Sequence, residues 1–178
     1  MGDRRPGHGR YAHIEREQRW LCDAVPAGAE PVCSILDRYI DETRLRLRRS
    51  ESSEGVVYKL GQKVRAVATD PEMVSLTNIY LSAGEHAALL ALPAAELHKT
   101  RSHVEWCGRT LAVDRFLGRL AGLVLAEVEL APGDAHLERP PWALRDVTND
   151  DRFSGGTLAR ASDEAIAELL GQRDRPTR

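Results

Sequence analysis

Two short segments of the sequence carry carboxylates at every second position. Glu15–Arg19 reads Glu-x-Glu-x-Arg, and Glu127–Glu129, far along the chain, reads Glu-x-Glu. Alternate side chains of a β-strand share one face, so each segment would present its charges together. Neighbouring carboxylates repel each other, and the arrangement becomes favourable when a cation lies against that face. The two segments therefore predict a site for a hard divalent cation such as Mg2+ or Mn2+, which prefers oxygen ligands.

Three further segments repeat basic side chains with the same period of two. Arg44–Arg48 reads Arg-x-Arg-x-Arg, Lys59–Lys63 reads Lys-x-Gly-x-Lys, and Lys99–Arg101 reads Lys-x-Arg. Of the chain's 25 basic residues only three are lysines, and each begins or ends one of these segments. Arginine binds phosphate oxygens through two parallel hydrogen bonds, and lysine binds them as a point charge. Together with the acidic segments, they predict a site for a metal-chelated polyphosphate.

Hydrophobic periodicity predicts about eight strands and few helices, which is an α+β fold dominated by antiparallel sheet. A helix begins after Ser82, where Glu85 completes a capping box, and runs to about Leu92. A second helix covers Asp163–Gly171, and Pro132–Arg145 is predicted to be irregular with at most a short helix. The predicted strands are Ala12–Cys22, Val32–Ile40, Arg44–Arg48, Val56–Val64, Met73–Leu81, Leu97–Trp106, Leu111–Phe116 and Leu123–Leu130.

The faces opposite the charged ones are apolar, at residues such as Ile14, Trp20 and Val128. If the apolar faces pack against the helices, the charged faces must point away from them. One charged segment alone is typical of a solvated strand face, but five together favour a functional site. An open sheet with a wet face and a closed barrel with a polar interior both satisfy the pattern. Ions moved away from water cost several kcal/mol each, so enclosed charges need water, one another or a ligand.

Length and composition bound the remaining possibilities. The 178 residues, 42% hydrophobic and 29% charged, predict one globular domain over residues 12–172, between a flexible tail at 1–11 and a frayed end at 173–178. No apolar run is long enough to span a membrane, and no secretory signal is visible. Three cysteines without metal-ligand spacing indicate reduced thiols in a cytoplasmic protein. The net charge of −2 argues against a nucleic-acid partner, and a homodimer is left open.

These motifs resemble the CYTH superfamily, also called the triphosphate tunnel metalloenzymes, which includes class IV adenylate cyclases and thiamine triphosphatases. The resemblance covers roughly residues 12–160. The matching segments, in chain order, are Glu15–Arg19, Arg44–Arg46, Leu60–Lys63, Lys99–Arg101, Asp114–Leu123, Glu127–Glu129 and Asp146–Phe153.

The resemblance implies an eight-stranded antiparallel closed β-barrel, a tunnel with a polar interior that is flanked by helices. By the family pattern the metal ligands are Glu15, Glu17, Glu127 and Glu129, and the phosphate ligands are Arg44, Arg46, Lys63, Lys99 and Arg101. Strand alternation adds Arg48 and Lys59 to the phosphate ligands. Asp114 is predicted either as a further metal ligand or as a structural partner for Arg115 or Arg119. Arg160 is the candidate for a basic residue that closes the tunnel.

Arg19 departs from the family pattern, which has lysine at this position. Arginine keeps the charge but cannot act as a base in a protein. Arg19 and Glu17 are the catalytic candidates. The first hypothesis is an Mg2+- or Mn2+-dependent triphosphatase that acts on a small triphosphate, with inorganic triphosphate preferred. The alternatives are a class IV-type adenylate cyclase, for which no base-recognising pocket is visible, and a polyphosphate- or nucleotide-binding tunnel without catalysis.

Overall fold

The computed structural model describes residues 10–67, 70–131 and 133–171, together with Pro6; the side chains of residues 65–67 and 70–72 are not described. Most of the predicted tail and all of the predicted frayed end therefore lie outside the described residues. Within the described residues the chain forms nine strands, three α-helices and two short 3-10 helices.

Eight of the strands form a closed barrel, so the predicted fold class is confirmed. Around the barrel they follow the order β5-β4-β3-β2-β6-β7-β8-β1, and β1 pairs with β5 to close the ring. Every adjacent pair is antiparallel. The strands are β1 (His13–Cys22), β2 (Glu30–Ile40), β3 (Leu45–Ser52), β4 (Gly55–Val67), β5 (Asp70–Leu81), β6 (Ala94–Trp106), β7 (Arg109–Phe116), β8 (Val124–Leu130) and β9 (Ala143–Asp146).

Strand β1 is paired along both of its edges. One edge pairs with β8 over residues 16–22. The other edge pairs with β5 over residues 13–16 and then with β9 over residues 20–22. Strand β9 lies in the stretch that was predicted to be irregular, and that prediction is wrong there. Four residues are too few to show a period of two, so only the pairing with β1 defines this strand.

The strands around the β4–β5 connection are longer than predicted. The predicted strand ends at Val64 and Met73 are wrong, because β4 continues to Val67 and β5 begins at Asp70. The hairpin between β3 and β4 is likewise tighter than the predicted strands imply, because β3 continues to Ser52 and β4 begins at Gly55. Strands β3 and β4 therefore reach well beyond their charged segments.

The helices are α1 (Ala83–Leu89), α2 (Gly155–Arg160) and α3 (Asp163–Gly171), and none of the described helices is long and apolar enough to cross a membrane. The capping box at Ser82 is present, but the helix ends before the predicted Leu92. The bounds of α3 are those predicted. Helix α2 was not predicted, because six residues that begin with two glycines show no helical period.

Apolar residues fill one end of the barrel and cover part of its outside. At that end, three strands each direct an apolar side chain into the barrel, where it packs against residues of α2 and α3. These side chains are Leu21, Phe116 and Leu125. On the outside, a second cluster around Trp20 and Val113 lies beneath the segment that contains Leu137 and Trp142. Helices α2 and α3 thus cap the barrel rather than cover its outer face. Ile14, on the apolar face of β1, is not covered in the same way, since it is 46% exposed.

We expect Leu158→Ala to destabilise the fold far more than Leu90→Ala. Leu158 of α2 is 1% exposed within the cluster that caps the barrel, whereas Leu90 is 44% exposed. Loss of a fully buried leucine side chain costs about 2–5 kcal/mol, and an exposed substitution changes stability by about 0.5 kcal/mol or less. Urea unfolding of both variants measures the difference. Equal midpoints would show that α2 does not contribute to the core.

Candidate functional site

The charged segments meet in one cavity of about 840 Å3 inside the barrel. Strand alternation directs their side chains inward, as the period of two requires. All three lysines of the chain lie on the cavity wall. Asp114 is the only predicted site residue that is not part of this wall. The predicted residues that line the cavity are Glu15, Glu17, Arg19, Arg44, Arg46, Arg48, Lys59, Lys63, Lys99, Arg101, Glu127 and Glu129.

The cavity has an acidic wall and a basic wall. The four predicted glutamates come from β1 and β8, which are neighbours, and Glu17 lies directly opposite Glu129 in their pairing. Arg46 and Arg48 come from β3, which lies across the ring from β1 and β8, and Arg44 directly precedes that strand. Strands β4 and β6 add the lysines and Arg101. A ligand in the cavity can therefore touch anionic groups on one side and cationic groups on the other.

Arg19 joins two of the glutamates. Its Nε donates a hydrogen bond to Glu127 Oε1 at 2.7 Å, and its Nη2 donates to Glu17 Oε2 at 3.2 Å. Lys63 reaches the same wall from β4, with its Nζ 2.9 Å from Glu17 Oε1 and 3.3 Å from Glu15 Oε2. The acidic wall is thus held together by one guanidinium and one ammonium group.

The glutamates differ in how well their charges are compensated. Burial raises the pKa of Glu15, and repulsion by Glu17 and Glu129 adds to this increase while Lys63 opposes it. Burial would also raise the pKa of Glu127, but Arg19 and three further cations outweigh burial and hold it well below the ordinary value. The negative charge near Glu15 is therefore only partly neutralised by the protein.

The oxygen donors of the acidic wall suit a hard divalent cation. Glu129 is exposed and forms no ion pair within the described part of the chain, so its carboxylate is available. However, no three carboxylate, imidazole or thiolate groups among the described residues converge on one point. A metal ion bound by this wall would share the carboxylates of Glu17 and Glu127 with the hydrogen bonds from Arg19 and Lys63.

Asp114 is fully buried and already paired with two cations. Arg101 donates to it through Nε and Nη2, each at 2.7 Å, and Lys99 contacts it as well. The predicted structural partners Arg115 and Arg119 are therefore wrong, and Arg119 instead donates to Asp163 at 2.7 Å. Because both oxygens of Asp114 accept hydrogen bonds from cations, this arrangement does not support the metal-ligand prediction.

Asp37 is a site residue that the sequence reasoning missed. It is 1% exposed and accepts hydrogen bonds from Arg48 Nε at 2.6 Å and Arg48 Nη2 at 2.7 Å. Burial would raise its pKa, but these hydrogen bonds and the charges of Arg48, Arg46 and Lys99 lower it. The available signal was a carboxylate between Ile35 and Tyr39 on an otherwise apolar strand face.

Gly61 leaves room for the arginines of β3. It pairs with Arg46 on one side and Asn78 on the other. A Cβ atom at this position would lie 2.9 Å from Asn78 Oδ1 and 3.6 Å from Arg46 Nη2. The glycine in the Lys-x-Gly-x-Lys segment therefore provides space for side chains rather than an unusual backbone conformation.

Arg160 lies on the cavity wall at the end that α2 covers. Its Nη2 donates to the carbonyl oxygen of Tyr39 at 2.9 Å and lies 3.2 Å from Asp41 Oδ1. At Gly155, the first residue of the helix, an added Cβ would overlap the hydroxyl of Tyr39. Helix α2 therefore packs closely against β2, and Arg160 ties the helix to the end of that strand.

A search of known protein families finds none that matches this chain. Among curated proteins, an inorganic triphosphatase from Acetivibrio thermocellus is 39% identical over 64 residues. The match takes in 36% of this chain and 41% of the other protein, so the chain spans about two-fifths of that relative's length.

Solved structures extend the similarity to most of the chain. The hypothetical protein NE1496 superposes with a TM-score of 0.58 and 25% identity, covering 83% of this chain and 98% of that one. A structure of the inorganic triphosphatase NE1496 gives a TM-score of 0.57 and 23% identity, covering 83% and 95%. At this level of identity the likeness shows a common fold. The chain thus shares a fold with these proteins, and its closed eight-stranded antiparallel barrel is the architecture that the resemblance to the CYTH superfamily implies.

Proposed function

We propose that this chain is an Mg2+- or Mn2+-dependent triphosphatase that hydrolyses inorganic triphosphate or a similarly small triphosphate. The observation that carries the proposal is the single cavity with an acidic wall facing a basic wall. The 64-residue similarity to a protein named inorganic triphosphatase supports the same activity. A small substrate is favoured because the capped end of the barrel is filled with apolar residues.

The basic wall would bind the phosphates. Arg44, Arg46 and Arg48, in or directly before β3, and Lys59 of β4 contribute donors from one side of the cavity. Lys99 and Arg101 contribute them from β6. Hydrolysis of a phosphoanhydride spreads negative charge over the phosphate oxygens and the leaving group. Fixed cations stabilise that charge because they need no reorganisation when it develops.

The acidic wall would hold the metal ions through Glu15, Glu17, Glu127 and Glu129. A bound Mg2+ or Mn2+ would supply charge neutralisation at the phosphate oxygens and a lowered pKa for its water ligand. Arg19 remains protonated, so it can orient a water or a phosphate but cannot accept a proton. Glu17 contacts both Arg19 and Lys63, and we assign to it the orientation of the attacking water.

The direct test is incubation of the purified protein with inorganic triphosphate or ATP in the presence of Mg2+ or Mn2+. We expect orthophosphate from triphosphate and no product when EDTA is added. Cyclic AMP from ATP would instead indicate a cyclase. Tight binding of triphosphate without any product would indicate a binding protein that retains the tunnel.

We expect Glu127→Gln to lower the metal-dependent rate by at least about 100-fold, because loss of a metal ligand removes several kcal/mol of transition-state stabilisation. Glu54→Gln is the matched control, since Glu54 lies in the exposed turn between β3 and β4. Initial rates and circular dichroism of both variants measure the effect. Unchanged turnover in Glu127→Gln would remove Glu127 from the metal site.

We expect Arg19→Lys to lower the Mn2+ concentration that gives half-maximal activity by about fivefold. The guanidinium holds Glu127 and Glu17 from two nitrogens, whereas a single ammonium group competes less well for both carboxylates. Loss of one charge-assisted hydrogen bond is worth about 1 kcal/mol, which gives this factor. A Mn2+ titration of the rate measures it. An unchanged titration would make arginine and lysine equivalent here.

A further inference from the structure

We propose that Asp37 is a positioning residue that fixes the guanidinium groups of Arg48 and Arg46 for phosphate binding. The proposal rests on the proposed function, because it assigns those arginines to the phosphates. Asp37 lies within β2, next to β3, and is buried behind these two arginines of the cavity wall. No motif of the sequence marks this residue.

The geometry leaves donors free on the cavity side. Arg48 uses one edge of its guanidinium, Nε and Nη2, to form two hydrogen bonds with Asp37. Its Nη1 group is not part of this clamp, and Arg48 lines the cavity. Arg46 Nε lies 3.6 Å from Asp37 Oδ1, is buried and has no hydrogen-bond partner among the described residues. Asp37 therefore binds the Arg48 guanidinium through two hydrogen bonds and attracts the Arg46 guanidinium by charge at a longer distance.

The same arrangement occurs a second time across β2. Arg101 of β6 uses Nε and Nη2 to bind Asp114, which is as deeply buried as Asp37. Two arginines on opposite sides of β2 are thus clamped by the same edge to buried aspartates. A guanidinium held this way keeps its planar fork in one orientation, which lowers the entropy lost when a phosphate binds.

The clamp is not explained by stability alone. A buried ion pair contributes little net stability compared with apolar residues of the same volume. Asp37 also carries a negative charge that opposes the binding of a polyanion. A carboxylate at this point is therefore unfavourable for the proposed ligand unless the orientation of Arg48 and Arg46 matters more than the charge. Removal of the Asp37 charge should therefore weaken triphosphate binding if orientation dominates and strengthen it if charge dominates.

The test is the affinity for inorganic triphosphate measured by calorimetry in EDTA, where metal-dependent hydrolysis does not contribute. We expect Asp37→Asn to weaken binding about tenfold, which is about 1.4 kcal/mol. Asp163→Asn is the matched control, because Asp163 is 85% exposed and does not line the cavity, and it should bind like the wild type. Unchanged or tighter binding by a folded Asp37→Asn variant would overturn the proposal.

A second variant and a double-mutant cycle separate positioning from charge. Asp37→Glu keeps the negative charge but moves the carboxylate. If Asp37 acts by positioning the arginines, this variant binds triphosphate more weakly. If only its charge matters, the affinity is unchanged. In an Arg48→Lys background, Asp37→Asn should weaken binding less than twofold, because the clamp is already lost. A full tenfold effect in that background would show that Asp37 does not act through Arg48. A chain that binds triphosphate as expected here but releases no orthophosphate would contradict only the proposed activity.

Discussion

Enclosed charge is the constraint on which this structure depends. An ion inside a barrel loses most of its hydration, so each buried carboxylate or cation requires a partner of opposite sign. Asp37 and Asp114 are almost completely buried, and each is clamped by an arginine. On the other wall, Arg19 links Glu17 and Glu127. The cavity is stable because acids and bases from different strands compensate one another.

The barrel interior is divided between this charged cavity and an apolar end. The inward-facing positions of β1, β7 and β8 change from charged to apolar along the strands, as the step from Arg19 to Leu21 illustrates. Helices α2 and α3 pack against the apolar part, and Arg160 contacts β2 at the boundary. The strands thus supply both the site and the surface that anchors the helices.

The sequence predicted which face of each strand points inward better than it predicted which strands pair with each other. A period of two placed Arg44, Lys63 and Glu129 on inward faces, and the cavity lining agrees with that alternation. Alternation alone could not decide between an open sheet and a closed barrel, because closure is the pairing of β1 with β5 and β8. Those pairings join residues that are distant in the sequence, so they came only from the resemblance.

The missed features have physical reasons as well. Asp37 stands alone between apolar residues, and its meaning comes from Arg48 on the adjacent strand. Strand β9 and helix α2 are shorter than the window that a periodic pattern needs. Ile14 follows the strand alternation, but among the residues that the structure describes no helix or loop covers that part of the outer face. In each case the deciding contact is tertiary.

The placement of β1 has a consequence for folding. The carboxylates of β1 lie beside those of β8 on the same cavity wall, although β1 is the first and β8 the last of the eight barrel strands in the sequence. Contacts of such long sequence separation form late, because the loop entropy must be lost before they stabilise the chain. A nascent chain therefore lacks the acidic wall until β8 has been synthesised.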